Sequence, residues 1–153
     1  MIVWICGSRE ASDKMILVAR NYVYKANENG WRIIVGDAPG IDEAVCQEAE
    51  RINAACNVYG VTPQPRNGGV NNLRSCYINL SATTLRSGIK NDNPCSTYQE
   101  RDEFLAKFCS NAVFIWNGDS PGTHRAYSYF SSNYPSKSAK FLCFEANQLK
   151  ENS

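Results

Sequence analysis

Short apolar runs alternate with segments whose apolar residues recur every three or four positions, and the alternation runs through most of the chain. Met1 to Cys6 (MIVWIC) is apolar on both faces, the pattern of a strand covered on both sides in a parallel sheet. After the break Gly7-Ser8-Arg9-Glu10, Ser12 reads as an N-cap with Asp13 in the positive first turn. Met15, Val18, Ala19, Tyr22, Val23 and Ala26 then form a helical stripe that Gly30 ends. Trp31 to Val35 predicts a second strand, Ile41, Ala44, Val45, Ala49 and Ile52 a second helix, and Asn57 to Val61 a third strand. The rhythm stops over residues 62–96, rich in Asn, Ser, Thr, Gly and Pro, a length that suits a lid or partner-facing loop. It resumes at Thr97, whose hydroxyl with Glu100 makes a capping box for a helix to about Cys109. Ala112 to Trp116 predicts a fourth strand. Ser120-Pro121 predicts the N-cap and first position of a helix striped by Ala126, Tyr127, Phe130 and Tyr134, and Ala139 to Phe144 a fifth strand.

This order predicts an α/β fold: a Rossmann-like three-layer sandwich with a mostly parallel sheet of about five or more strands and helices on both faces. At 153 residues the chain suits a single domain over 1–146, with an insertion at about 62–96 and a polar tail at 147–153. In such sheets ligands bind beyond the carboxyl ends of the strands. Three turns there share one character: Gly7-Ser8-Arg9, Gly36-Asp37-Ala38-Pro39-Gly40 and Asn117-Gly118-Asp119-Ser120-Pro121-Gly122-Thr123. Glycine admits a phosphate to the backbone, and a helix start offers unpaired amides and partial positive charge, so three such turns predict a phosphate-sized cradle. A strict GxGxxG is absent, which excludes the standard dinucleotide fingerprint.

Arg101 falls on the stripe joining Tyr98 to Leu105 and Phe108 and therefore faces inward. An inward arginine meets either a carboxylate, with Asp102, Asp37 and Asp42 the candidates, or an anionic ligand gripped by two donors. Spacing leaves both open.

The formal charge of +1 gives the chain no general attraction for nucleic acid, although 62–96 carries Arg66, Arg74, Arg86 and Lys90 against the single acid Asp92. Seven cysteines without a CxxC pair read as reduced thiols, and His124, the only histidine, reads as a surface residue. No metal and no cofactor are expected. No apolar stretch reaches membrane-span length and no leader is evident, so the expectation is a cytoplasmic protein without membrane partners.

The four motifs, Gly7-Ser8-Arg9, "GDAPGIDEAV", "YQERDEF" and "GDSPGT" in this order, resemble those of the SLOG superfamily, which includes Smf/DNA-processing protein A and the Lonely Guy phosphoribohydrolases, and within it the small stand-alone members. The resemblance covers about 1–61 and 97–146. It implies a nucleotide pocket lined by Gly7, Ser8, Arg9, Gly36, Asp37, Ala38, Gly40, Asp42, Arg101, Asn117, Gly118, Ser120, Gly122 and Thr123. It also implies a homodimer or higher homo-oligomer, for which the aromatic helix 126–134 is one candidate face. The expected function is binding of a nucleotide or nucleotide-derived molecule, such as an NAD-derived or cyclic nucleotide signal, as a sensor or sequestering protein. The alternative is an N-glycosidase acting on nucleoside monophosphates, and a lesser one is single-stranded DNA binding. Ala126 stands where Lonely Guy enzymes carry a catalytic glutamate, and this departure argues against bond cleavage; Glu100, Asp102 or Asp119 would have to replace it.

Overall fold

Six strands form one all-parallel sheet in the order β4-β3-β2-β1-β5-β6 in a computed structural model that describes residues 1–85 and 87–144. The elements are β1 (Ile2–Gly7), α1 (Asp13–Glu28), β2 (Arg32–Gly36), α2 (Ile41–Ile52), β3 (Cys56–Gly60), β4 (Cys76–Asn79), α3 (Tyr98–Phe108), β5 (Asn111–Trp116), α4 (Pro121–Asn133) and β6 (Ser138–Cys143). The predicted polar tail at 147–153 lies outside the described residues.

Alternation along the strands separates two cores. Val3, Ile5, Ile33, Val35 and Val58 face α1 and α2, whose Met15, Ala19, Val23, Val45 and Ala49 complete that layer. Trp4, Cys6, Ile34, Tyr59 and Phe114 face α3 and α4 with Leu105, Ala106, Ala126 and Phe130. Trp4, Phe114 and Phe130 meet edge-on or tilted, with centroids 5.2 to 6.3 Å apart, an arrangement that favours the ring quadrupoles as well as burial. The expected helix starts are present: Ser12 Oγ accepts from the Met15 amide at 3.3 Å and Thr97 Oγ1 from the Glu100 amide at 3.1 Å.

The segment 62–96, for which no strand or helix was expected, carries one strand. Cys76–Asn79 adds an edge strand beside β3, with Asn57 opposite Cys76 and Gly60 opposite Asn79. Leu80 and Cys95 join the core under α3. Asn72 Nδ2 donates to the carbonyls of Ala49 and Ala54, each at 3.3 Å, and Asn67 Nδ2 to that of Ala38 at 2.9 Å. Four strand residues flanked by polar turns, none of them fully buried, leave too little periodicity to read.

The chain runs outward from β1 in both directions, so the crevice between the carboxyl ends of β1 and β5 is the switch point of the sheet. Gly40 fixes its geometry. Its φ is 81°, and a Cβ there would stand 2.2 Å from the Arg9 carbonyl oxygen and 2.4 Å from that of Ser8. At Gly122 a Cβ would meet nothing within 4 Å. Gly40→Ala is therefore expected to cost about 2–3 kcal/mol, and Gly122→Ala to stay within about 0.5 kcal/mol of wild type. Urea unfolding midpoints check both; equal midpoints for the two variants contradict the packing role of Gly40.

Candidate functional site

The first two βα turns sit against each other. The Ile41 amide donates to the Ser8 carbonyl at 3.1 Å, and a Cβ on Gly7 would meet Ile41 at 2.4 Å. Ser8 is fully buried; its Oγ accepts from the Asn117 amide at 3.0 Å and so ties β1 to the turn after β5. Asn117 Oδ1 accepts from the amides of Asp119 and Ser120, both at 2.9 Å, while its Nδ2 donates to the Glu10 carbonyl. These residues build the rim. The close approach that Gly7, Gly36 and Gly40 permit is to the protein itself, where the sequence suggested approach to a ligand.

Asp37 follows the last residue of β2 and is fully buried. Its Oδ1 accepts from Arg101 Nη1 at 2.9 Å and from Arg66 Nε at 3.0 Å and Nη2 at 2.9 Å, and its Oδ2 from the Arg66 amide at 3.1 Å. Arg101, also buried, donates through Nε to Asp102 at 3.0 Å and through Nη1 to the Tyr59 carbonyl at 3.2 Å. The guanidinium of Arg66 lies 3.6 Å from the Tyr98 ring centroid. Of the partners spacing allowed for Arg101, the structure therefore supplies two, Asp37 and Asp102, and leaves Nη2 with no hydrogen bond among the described residues.

Beside this network, a cavity of about 690 Å³ opens between α3, α4 and the ends of β1 and β2. Its floor is apolar, from Trp4, Cys6 and Ala126, and its rim carries Arg9, Arg66, Arg101 and Arg125 against Asp42, Asp102 and Glu103. The first turn of α4 forms one wall. Ser120 makes no side-chain cap, Pro121 has no N–H, and the amides of Gly122 and Thr123 have no partner among the described residues. This helix start is the open part of the rim.

Asp42, in the first turn of α2, is buried and lines the cavity. Its Oδ2 accepts from the Ala38 amide at 3.2 Å. Burial raises its pKa from an ordinary 3.8 to about 7 against the pull of Arg101. Burial also raises Asp102, again opposed by Arg101, and lifts the Cys6 thiol well up, with Asp102 and Asp42 adding to it. Arg101 itself is desolvated, but Asp102, Asp42 and Asp37 outweigh that cost and hold it charged.

Of the residues named from sequence, Gly7, Arg9, Gly36, Ala38, Asp42, Arg101, Ser120, Gly122 and Thr123 line the cavity together. Ser8, Asp37, Gly40, Asn117 and Gly118 do not line it, and the first four brace the turns or the arginines. Sequence reasoning missed Arg125, one turn past Pro121, and Tyr98, Gln99 and Glu103 on the cavity face of α3. It placed Arg66 in a basic segment but not at the site. Among the described residues no group of His, Cys, Asp and Glu could hold a metal ion.

Arg101→Met removes one of two cations from a fully buried carboxylate and is expected to lower stability by about 3–5 kcal/mol; Arg66→Met, at a side chain 24% exposed, costs less. Urea midpoints test that order. Asp42 predicts a pH effect. Its folded pKa lies above its unfolded value, so its contribution is fully present below about 4 and lost as pH rises through about 7. Asp42→Asn is expected to flatten the fall in unfolding midpoint between these values; an unchanged slope contradicts the assignment.

The architecture is shared with proteins of known structure. The molybdenum cofactor binding protein of Rippkaea orientalis superposes with a TM-score of 0.69 at 12% identity over 99% of this chain and 80% of its own. The molybdenum cofactor carrier protein of Chlamydomonas reinhardtii gives 0.65 at 12% identity over 99% and 81%. DNA processing protein A of Helicobacter pylori, described with a single-stranded DNA binding mode, gives 0.63 at 14% identity over 99% and 72%. At these identities the likeness is one of fold. No curated protein matches the chain in sequence. The family model for DNA recombination-mediator protein A covers residues 1–77, half of the chain, and the chain belongs to that family, within the SLOG superfamily.

Proposed function

We propose that the chain binds a nucleotide or nucleotide-derived small molecule in this cavity, as a sensor or sequestering protein. One observation carries the reading: the uncapped first turn of α4 forms a wall of a cavity that has an apolar floor and arginines at its rim. Amides at a helix start hold a phosphate without desolvating a lysine or arginine. Arg9 and Arg125, both exposed and outside every ion pair among the described residues, supply adjacent charge. Trp4, Cys6 and Ala126 offer a face for a flat ring, with Tyr98, Gln99 and Glu103 along one side. A volume near 690 Å³ suits a ligand of nucleotide size.

The N-glycosidase reading keeps one supporting feature, a buried cavity carboxyl whose pKa burial pushes up to about 7, as suits a general acid. Asp42 is a better placed acid than two of those expected. Glu100 is exposed and held by Ser96 and Thr97, and Asp119 does not line this cavity. Single-stranded DNA binding fares less well. Arg66 is paired to Arg101's partner Asp37, Arg74 Nη1 donates to the Asn53 carbonyl at 3.2 Å, and Lys90 lies 3.9 Å from Asp92. Arg86 is outside the described residues.

Thermal shift and calorimetry with AMP, NAD, ADP-ribose and an oligo-dT strand test the three readings. The expected result is a melting shift with a mononucleotide or dinucleotide, weakened about tenfold by Arg9→Ala or Arg125→Ala without loss of folding, and no released base by chromatography. Base release lost in Asp42→Asn selects the enzyme. Oligo-dT binding with a steep salt slope, and no response to the small molecules, sinks the nucleotide reading.

A further inference from the structure

We propose that Asp42 couples anion binding to protonation: the cavity takes up a proton when an anion enters, and the Asp42 carboxyl receives it. The inference rests on the anion-binding reading above and specifies how its site is regulated.

Asp37, Asp42 and Glu48 are the buried carboxyls among the described residues. Asp37 is held by Arg66 and Arg101, and Glu48 by Arg51. Asp42 has no ion pair among the described residues and accepts one amide hydrogen bond, from Ala38. It is nonetheless pressed close to a guanidinium. A Cβ on Gly36 would lie 2.7 Å from Arg101 Cζ, from Arg101 Nη1 and from Asp42 Oδ2, so these groups converge over one bare Cα. That guanidinium is already shared by Asp37 and Asp102, which limits what it gives to a third carboxylate.

The charges around Asp42 are Arg101 and Asp102 from α3, Asp37 from the end of β2, and Arg66 beyond Asp37. The thiols of Cys6 on β1, Cys46 on α2 and Cys56 on β3 lie within its electrostatic reach, and burial keeps all three protonated. An anion entering the cavity adds negative charge to this balance. The ionised carboxyl would then be repelled by the ligand's charge, and protonation removes that repulsion. Among the described residues no other group lining the cavity combines burial with an unpaired carboxyl.

The sign follows. Binding favours the protonated form, so affinity is full below the free-state pKa and falls as pH rises through it, by up to about tenfold per pH unit until the bound-state value is reached. Carboxyl carbon-13 NMR of aspartate-labelled protein reads this directly, comparing sulfate with chloride at equal ionic strength. Sulfate does not titrate in the range used. The resonance assigned by its loss in Asp42→Asn should titrate well above the ordinary carboxylate range and move upward in sulfate. Sulfate affinity of the wild type should fall with rising pH and that of Asp42→Asn should not; if the variant fails to fold, the wild-type titration alone decides. An Asp42 resonance unmoved by sulfate, with AMP still raising the melting temperature, overturns proton coupling and spares the binding reading. No movement and no response to AMP overturns both.

Discussion

Two guanidiniums converge on one fully buried carboxylate, and most of the rim depends on that contact. Asp37 follows the last residue of β2 and is fully buried, a place where a carboxylate requires partners fixed around it. Arg101 comes from α3 and Arg66 from the segment between β3 and α3, and Arg101 also reaches the Tyr59 carbonyl of β3. One carboxylate thus fastens the end of a central strand, a helix on the far side of the sheet and an inserted segment. It also dictates small residues around it: Gly36 carries the converging Arg101 and Asp42, and a Cβ at Gly60 would lie 2.7 Å from Asp37 Oδ2.

This network explains what was legible in the sequence. The alternating apolar runs placed five strands and four helices because each buries a continuous face, and the Ser12 and Thr97 caps mark their starts with side chains whose role is local. The stripe through Tyr98 and Leu105 put Arg101 inside, since helical period fixes direction. What Arg101 meets there is a contact between residues 64 positions apart, and no periodicity encodes it. β4 was hidden for a related reason: a four-residue edge strand takes its order from Asn57, Gly60 and the asparagine bonds of its flanks, and hardly from its own pattern.

The turns show the limit of reading glycine from sequence. Gly40 and Gly122 both follow strand ends and look alike as letters. One is closed against the carbonyls of Ser8 and Arg9, and the other is open to space. A glycine reports that something comes near the backbone; only the fold says whether that thing is protein. Three similar turns therefore divide into two that are filled by the molecule itself and one, at the start of α4, that is free.

The charge balance of the cavity sharpens that division. Four arginines line it, and Asp42, Asp102 and Glu103, with Asp37 behind them, oppose them in equal number. A site so balanced has no general pull on anions, in keeping with a formal charge of +1 for the chain. Attraction has to come from arrangement. Arg66 and Arg101 already hold carboxylates, while the α4 amides, Arg9 and Arg125 have no such partner among the described residues. In the proposed binding mode an anion therefore sits at the α4 end with its bulk toward Trp4 and Ala126, and its charge acts on the one buried carboxyl that lacks an ion pair among the described residues.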